Sequence, residues 1–242
     1  MGRRCCGGGA KIGIVVVSLN GVINIDKPAG ITSARVVDRV KRLMPRGTKV
    51  GHAGTLDPFA TGVLLVLVGK GTKACEWLMG MRKGYDAVVK LGARTATDDP
   101  EAPEELVEGA VAPPIERVRE AAAGLVGEIL QRPPAYSAMK VGGRRAYDLA
   151  RGGKDVELEA RRVNVYALEV VEYAWPLVRI RVECGRGTYI RAIARDLGEA
   201  LGVGGYLTEL RRTFVGAYRV ENAVTLEKLQ VDGVAAHVQD VT

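Results

Sequence analysis

Two hydrophobic periods run through this chain, and they divide it into strands and helices. Alternation marks the strands. In 83–92, Tyr85, Ala87, Val89 and Leu91 share one face and Asp86, Val88 and Lys90 the other, while Val178, Ile180, Val182 and Cys184 oppose Arg179, Arg181 and Glu183. The run Val63 to Val68 predicts a buried strand, 21–30 a short strand entering a Pro-Gly turn, and 157–173 one or two strands more. Helical spacing appears at Val36, Val37, Val40, Leu43 and Met44 behind a Thr32 or Ser33 cap, and over 73–80. It returns at Ile115, Val118, Ala122 and Leu125 after two prolines, and at Ile190, Ile193, Leu197 and Leu201 behind a Thr188 cap. This mixture is compatible with an α+β fold and does not fix its topology.

Between these elements, 51–62 concentrates three glycines, a proline and two threonines just ahead of the buried strand. Asp57 sits in this tight loop with Pro58 fixing the chain after it. A loop held by a rigid scaffold is where chemistry is commonly placed, and a carboxylate serves as nucleophile or base. The same residues also make an ordinary turn, so turn chemistry alone leaves both readings open.

Charge adds a partner class. Thirty-five basic against 28 acidic residues give +7, which suits a polyanion. Basic residues interleave with prolines, glycines and tyrosines across 131–155, where Arg132, Lys140, Arg144 and Arg145 are candidate RNA contacts. The exposed face of the first helix carries Arg35, Asp38, Arg39, Lys41 and Arg42, either a solvated face or part of a phosphate track. The acidic, proline-broken stretch 98–108 is expected to be a surface loop.

Other chemistries drop out. Cys5, Cys6, Cys75 and Cys184 lack CxxC spacing, and His52 and His237 are the only histidines. No metal site and no disulfide framework are expected, and reduced thiols in the cytoplasm fit best. Lys70-Gly71-Thr72-Lys73 lacks the residue order of a phosphate-binding loop. Arg3, Arg4 and Lys11 ahead of 12–17 imitate a signal peptide, but the apolar run is too short to span a bilayer and no cleavage site follows. We expect 1–20 to be a flexible extension, with translation starting near Val17 or Leu19; an intact mass accounting for all 242 residues refutes the second expectation.

Several of these segments together carry a family resemblance. GHAGTLDPFATGVL around Asp57, DKPAGITS at 26–33, KGYDAVVKLG at 83–92, PPAYSAMKVGGRRAYDLAR at 133–151, GTYIRAIARDLG at 187–198 and GYLTELRRT at 205–213 resemble the TruB family of tRNA pseudouridine synthases. The resemblance covers about 20–230. It implies an α+β pseudouridine synthase fold, a mixed, mostly antiparallel sheet flanked by helices, with a thumb-like RNA-binding insertion at 131–155. The catalytic domain is then 21–230, and 231–242 a tail with no additional RNA-binding domain.

By resemblance, Asp57 is the catalytic residue, Arg191 its ion-pair partner and Tyr85 the aromatic that stacks on the target base. Leu210 lines the uracil pocket, Lys83 completes the Lys-x-Tyr motif, and His52 positions RNA near the vacated stack. The implied substrate is uridine 55 in the T-loop of tRNA, flipped out of its stack. Isomerisation neither oxidises nor consumes water, so no cofactor is expected. Ordinary glycosidases, by contrast, use two carboxylates. No membrane association and no obligatory protein partner are expected, and the chain is expected to act as a monomer. Two alternatives stand beside this reading: an RNA folding factor without turnover, and a guide-RNA-dependent relative, which normally carries extra domains and partners.

Overall fold

The structure is a computed structural model that describes residues 19–134, 136, 140–141, 144–145 and 158–241. In chain order the elements are β1 (Gly21–Lys27), α1 (Ser33–Arg42), β2 (Val50–His52), β3 (Thr61–Val68), α2 (Cys75–Gly80), β4 (Lys83–Leu91), β5 (Ala93–Thr95) and β6 (Glu104–Leu106). They continue with α3 (Ile115–Ala123), β7 (Gly127–Gln131), β8 (Lys140–Val141), β9 (Arg144–Arg145), β10 (Arg161–Ala174), β11 (Leu177–Cys184), α4 (Ile190–Ala200), β12 (Gly205–Val215), β13 (Tyr218–Arg219) and α5 (Leu226–Asp232). The expected helices and strands are present, and 157–173 resolves into the single long strand β10.

Nine strands form the main sheet, ordered β1-β3-β12-β4-β11-β10-β7, with β2 on β3 and β13 on β12. Every pairing is antiparallel except β3 with β12, which run parallel over Thr61–Gly62 and Arg211–Arg212. The fold is therefore α+β with a mixed, mostly antiparallel sheet. Strand β3 is covered on both faces: Leu64, Val66 and Val68 enter the larger core, and Val63, Leu65 and Leu67 the smaller one with Leu78 and Val215. That double burial explains its unbroken apolar run, because no position on it faces water.

Two details differ from the sequence expectations. Thr188 does not cap α4. Tyr189 holds the N-cap position in extended conformation, its N–H donates to the Gln131 side-chain oxygen at 2.8 Å, and the Gln131 amide returns a bond to the Tyr189 carbonyl. A residue 58 positions away thus occupies the place where a local cap was expected. The acidic stretch is not a surface loop throughout either: Asp99 is 2 % exposed, and Glu104–Leu106 pairs with Ala93–Thr95 as β6 on β5.

Candidate active site

The Asp57 loop is pinned from three sides. Ser33, at the start of α1, accepts the Leu56 N–H at 2.9 Å and donates its hydroxyl to the Leu56 carbonyl at 3.0 Å. Lys27, at the end of β1 and fully buried, donates from Nζ to the carbonyls of Pro28, Ile31 and Pro58 at 2.9, 2.7 and 3.1 Å. Arg212 on β12, also buried, donates to the carbonyls of Val63, Gly54 and Thr55 at 2.6, 3.1 and 3.4 Å. Desolvation brings the Lys27 pKa down to about 8; Asp57 nearby opposes the shift and Arg212 adds to it.

This loop closes one wall of a cavity of about 230 Å³. Lining it are Asp57, Lys83, Tyr85, Arg191, Leu210 and Arg212, together with Arg186 and the Gly185–Ile190 turn. The sheet aligns these parts: in register, Arg212 faces Tyr85 across β12 and β4, and Leu210 faces Ala87. Arg191 arrives from the first turn of α4. Lys83 sends its ammonium to the carbonyls of Met79 and Met81 at 2.8 and 2.7 Å, and burial lowers its pKa to about 8, helped by the Arg212 charge. His52 does not line the cavity; burial first, then Arg212, lowers its pKa and favours the neutral ring.

At the cavity's heart the Arg191 guanidinium lies between two carboxylates. Its Nη2 donates to Asp57 Oδ1 at 3.2 Å and its Nε lies 3.0 Å from Asp57 Oδ2, a charge contact without hydrogen-bond alignment. On the other side Nη1 donates to Asp99 Oδ2 at 2.9 Å and to the Thr97 carbonyl at 3.0 Å. Arg191 is 4 % exposed, whereas the Asp57 side chain keeps 31 % of its surface open. Burial nonetheless dominates the titration of Asp57 and raises its pKa; Arg191 and Lys27 oppose the rise and Asp99 adds to it. The Tyr85 phenol, 7 % exposed, is likewise pushed upward by burial and keeps its proton at neutral pH.

Five sequence-predicted residues therefore meet around one hollow: Asp57, Lys83, Tyr85, Arg191 and Leu210. Arg132 lies outside it and offers its carbonyl to Arg195 at 2.8 Å. Lys140, Arg144 and Arg145 fall in the short hairpin β8–β9, and their side chains, like most of 131–155 and all of 1–18, lie outside the described residues. Sequence reasoning missed Asp99, Lys27 and Arg212. Asp99 was masked by its acidic neighbourhood, while Lys27 and Arg212 stood inside quoted motifs without a role. Among the described residues no three His, Cys, Asp or Glu side chains gather as a metal site, and no helix is long and apolar enough to cross a membrane.

The cavity beside the seam of β4 and β12 thus brings together a partly open carboxylate, an aromatic wall and a guanidinium. Comparison places this fold and site in the class of pseudouridylate synthases. The profile of the TruB family pseudouridylate synthase N-terminal domain matches 41–190, and that of the tRNA pseudouridylate synthase B C-terminal domain matches 191–240. Proteins named tRNA pseudouridine synthase B from Arthrobacter sp. FB24 and Thermobifida fusca YX are each 50 % identical over 218 and 227 residues. The first alignment covers 87 % of this chain and 71 % of the relative, the second 88 % and 75 %. The chain belongs to the TruB family.

Among solved structures, a chain of a Cbf5-Nop10-Gar1 complex superposes with a TM-score of 0.68 at 34 % identity, over 87 % of this chain and 54 % of that one. An archaeal box H/ACA Nop10-Cbf5 complex gives 0.64 at 32 % identity, over 88 % and 53 %. This chain thus spans about half the length of those solved chains.

Proposed function

We infer that this protein is a tRNA pseudouridine synthase that isomerises uridine 55 of the T-loop, working alone as a cytoplasmic monomer. The observation that carries the mechanism is the Asp57 carboxylate held against Arg191 at 3.2 Å inside a cavity walled by Tyr85 and Leu210. The uridine swings out of its stack at a cost of a few kcal/mol and enters the hollow. Ionised Asp57 then either adds to the sugar's C1′, a bond that breaks again when C5 attacks, or takes the C2′ proton, which returns to C2′ when C5 joins the sugar. Either way the N1–C1′ bond breaks, the uracil turns, C5 joins C1′, and the C5 proton leaves to solvent while N1 gains one. Substrate and product are isomers, so the balance needs neither water nor a redox partner.

Each remaining group serves that sequence. Arg191 stabilises the carboxylate as an anion, against the burial that disfavours it. Tyr85, kept neutral, stacks on the base, and Leu210 supports the other side. Lys83, Arg186 and Arg212 give the cavity a positive lining that suits the approach of a phosphate backbone.

The test uses a T-loop transcript tritiated at uridine C5. The wild-type protein releases tritium, whereas Asp57→Asn releases none and still binds the transcript. Equal release by the variant removes Asp57 from the mechanism, and no release by the wild type leaves an RNA folding factor. Light scattering during gel filtration checks the monomer.

A further inference from the structure

Arg191 and Arg195 stand one turn apart on α4, on neighbouring positions of one helix face. Between them they hold two stretches from elsewhere in the chain. Arg191 binds the Thr97 carbonyl and Asp99 on one side and the Tyr136 carbonyl on the other, the last at 3.0 Å from Nη2. Arg195 repeats the arrangement: Nη1 donates to Asp98 Oδ2 at 3.0 Å and Nη2 to the Arg132 carbonyl at 2.8 Å. Its Nε and Nη2 also reach Asp196 Oδ1, at 3.0 and 2.8 Å.

Asp98 is the hinge of this arrangement. It is the only non-glycine among the described residues with positive φ, at 58°. A left-handed backbone is disfavoured for any residue with a side chain, least so for Asn and Asp, and persists where its surroundings impose it. Three contacts do so here: the Asp98 N–H donates to the Thr95 carbonyl at 3.3 Å, the Leu207 N–H donates to the Asp98 carbonyl at 3.1 Å, and Arg195 takes the Asp98 side chain. The reversed backbone lets residues on either side of Asp98 converge on one nitrogen, since the Thr97 carbonyl and the Asp99 carboxylate both accept from Nη1 of Arg191. The orientation of the guanidinium facing Asp57 therefore depends on a turn that Arg195 helps to hold, through its bond to the Asp98 side chain.

We propose that Arg195 is a positioning residue for the reaction at Asp57: by holding Asp98 in its left-handed turn and gripping the Arg132 carbonyl, it fixes the two stretches that orient Arg191. The inference rests on the reading of Asp57 and Arg191 as the reacting pair. Arg195 itself touches neither Asp57 nor the cavity. Its contribution lies in the rate of the bond rearrangement and not in holding RNA.

Single-turnover pseudouridine formation with enzyme in saturating excess, filter-binding Kd for the same T-loop transcript, and the thermal midpoint test this together. Arg195→Ala should slow the single-turnover rate by about tenfold or more while Kd stays within about threefold, since small misplacements of reacting groups cost rate and not binding. Arg195→Lys, whose ammonium can still meet Asp98, should recover most of that loss. Asp98→Gly accepts the backbone angle but loses the anchor, and should be slowed like Arg195→Ala. The double variant should be no slower than the worse single one, because both remove the same link.

A wild-type single-turnover rate in Arg195→Ala and in Asp98→Gly overturns the proposal, as does a Kd loss with the rate intact. Should Arg195→Ala fail to fold, Asp98→Gly and Arg195→Lys decide by the same criteria. Asp57→Asn run in parallel separates the two levels: turnover by that variant sinks the reading of the site, whereas its inactivity alongside an unimpaired Arg195→Ala sinks only the positioning role.

Discussion

In the proposed mechanism Asp57 reacts as an ionised carboxylate, while its burial raises its pKa, and the two together set the pH dependence. Burial and Asp99 push the pKa above the ordinary 3.8, so protonation begins at a higher pH than in a free carboxylate. Activity should therefore rise with pH through an acid limb lying above that ordinary value, measurable as kcat/KM of the wild-type enzyme. Asp99→Asn withdraws a negative neighbour, so the limb should move to lower pH. The same substitution loosens Arg191 and should lower the plateau rate by about tenfold. A limb that stays put separates Asp99 from the titration of Asp57. At this scale the sequence was partly legible. Asp57, Tyr85, Arg191 and Leu210 sit in long motifs, whereas Asp99 reaches the site by binding an arginine 92 residues away, and its prolines and acidic neighbours advertise a surface. Burial of that carboxylate is affordable because Arg191, the Thr97 hydroxyl and the Glu101 N–H all bind it.

Among the elements, β3 and β12 approach each other closely at their parallel contact. Gly62 adopts φ +98°, and a side chain there would strike the Arg212 backbone. Gly62→Ala should cost about 3 kcal/mol or more in urea unfolding, from combined backbone strain and overpacking. Because Arg212 holds the Gly54 and Thr55 carbonyls, the same variant should lose activity in whatever fraction remains folded. A stability within experimental error of wild type contradicts this close approach. Element types were readable because period 2 and period 3.6 stand out in Lys83–Leu91 and Ser33–Arg42. The start of α4 was misread, since Gln131 supplies its bond from a distance and local capping rules see only Thr188. The strand order was not readable at all. Nothing in 205–215 announces that it inserts between β3 and β4, because residues buried on both sides of a sheet look alike whichever neighbours they have.

For the molecule as a whole, the excess of positive charge and the cationic cavity lining predict binding dominated by phosphate contacts. Affinity for T-loop RNA should drop by at least about 100-fold between 50 and 200 mM salt, as a filter-binding series will show, and a flat response contradicts an electrostatic grip. The two family profiles meet at Ile190 and Arg191, yet the sheet continues across that border, and the strands before it depend on β12 beyond it. A fragment ending at 190 should accordingly show no cooperative unfolding transition. That seam also governs the timing of biosynthesis. A ribosome that has made the first 204 residues has laid down both wings of the protein but not the piece that stitches them together. The growing polypeptide therefore carries its aspartate long before it owns a working pocket, and competence arrives in one late step.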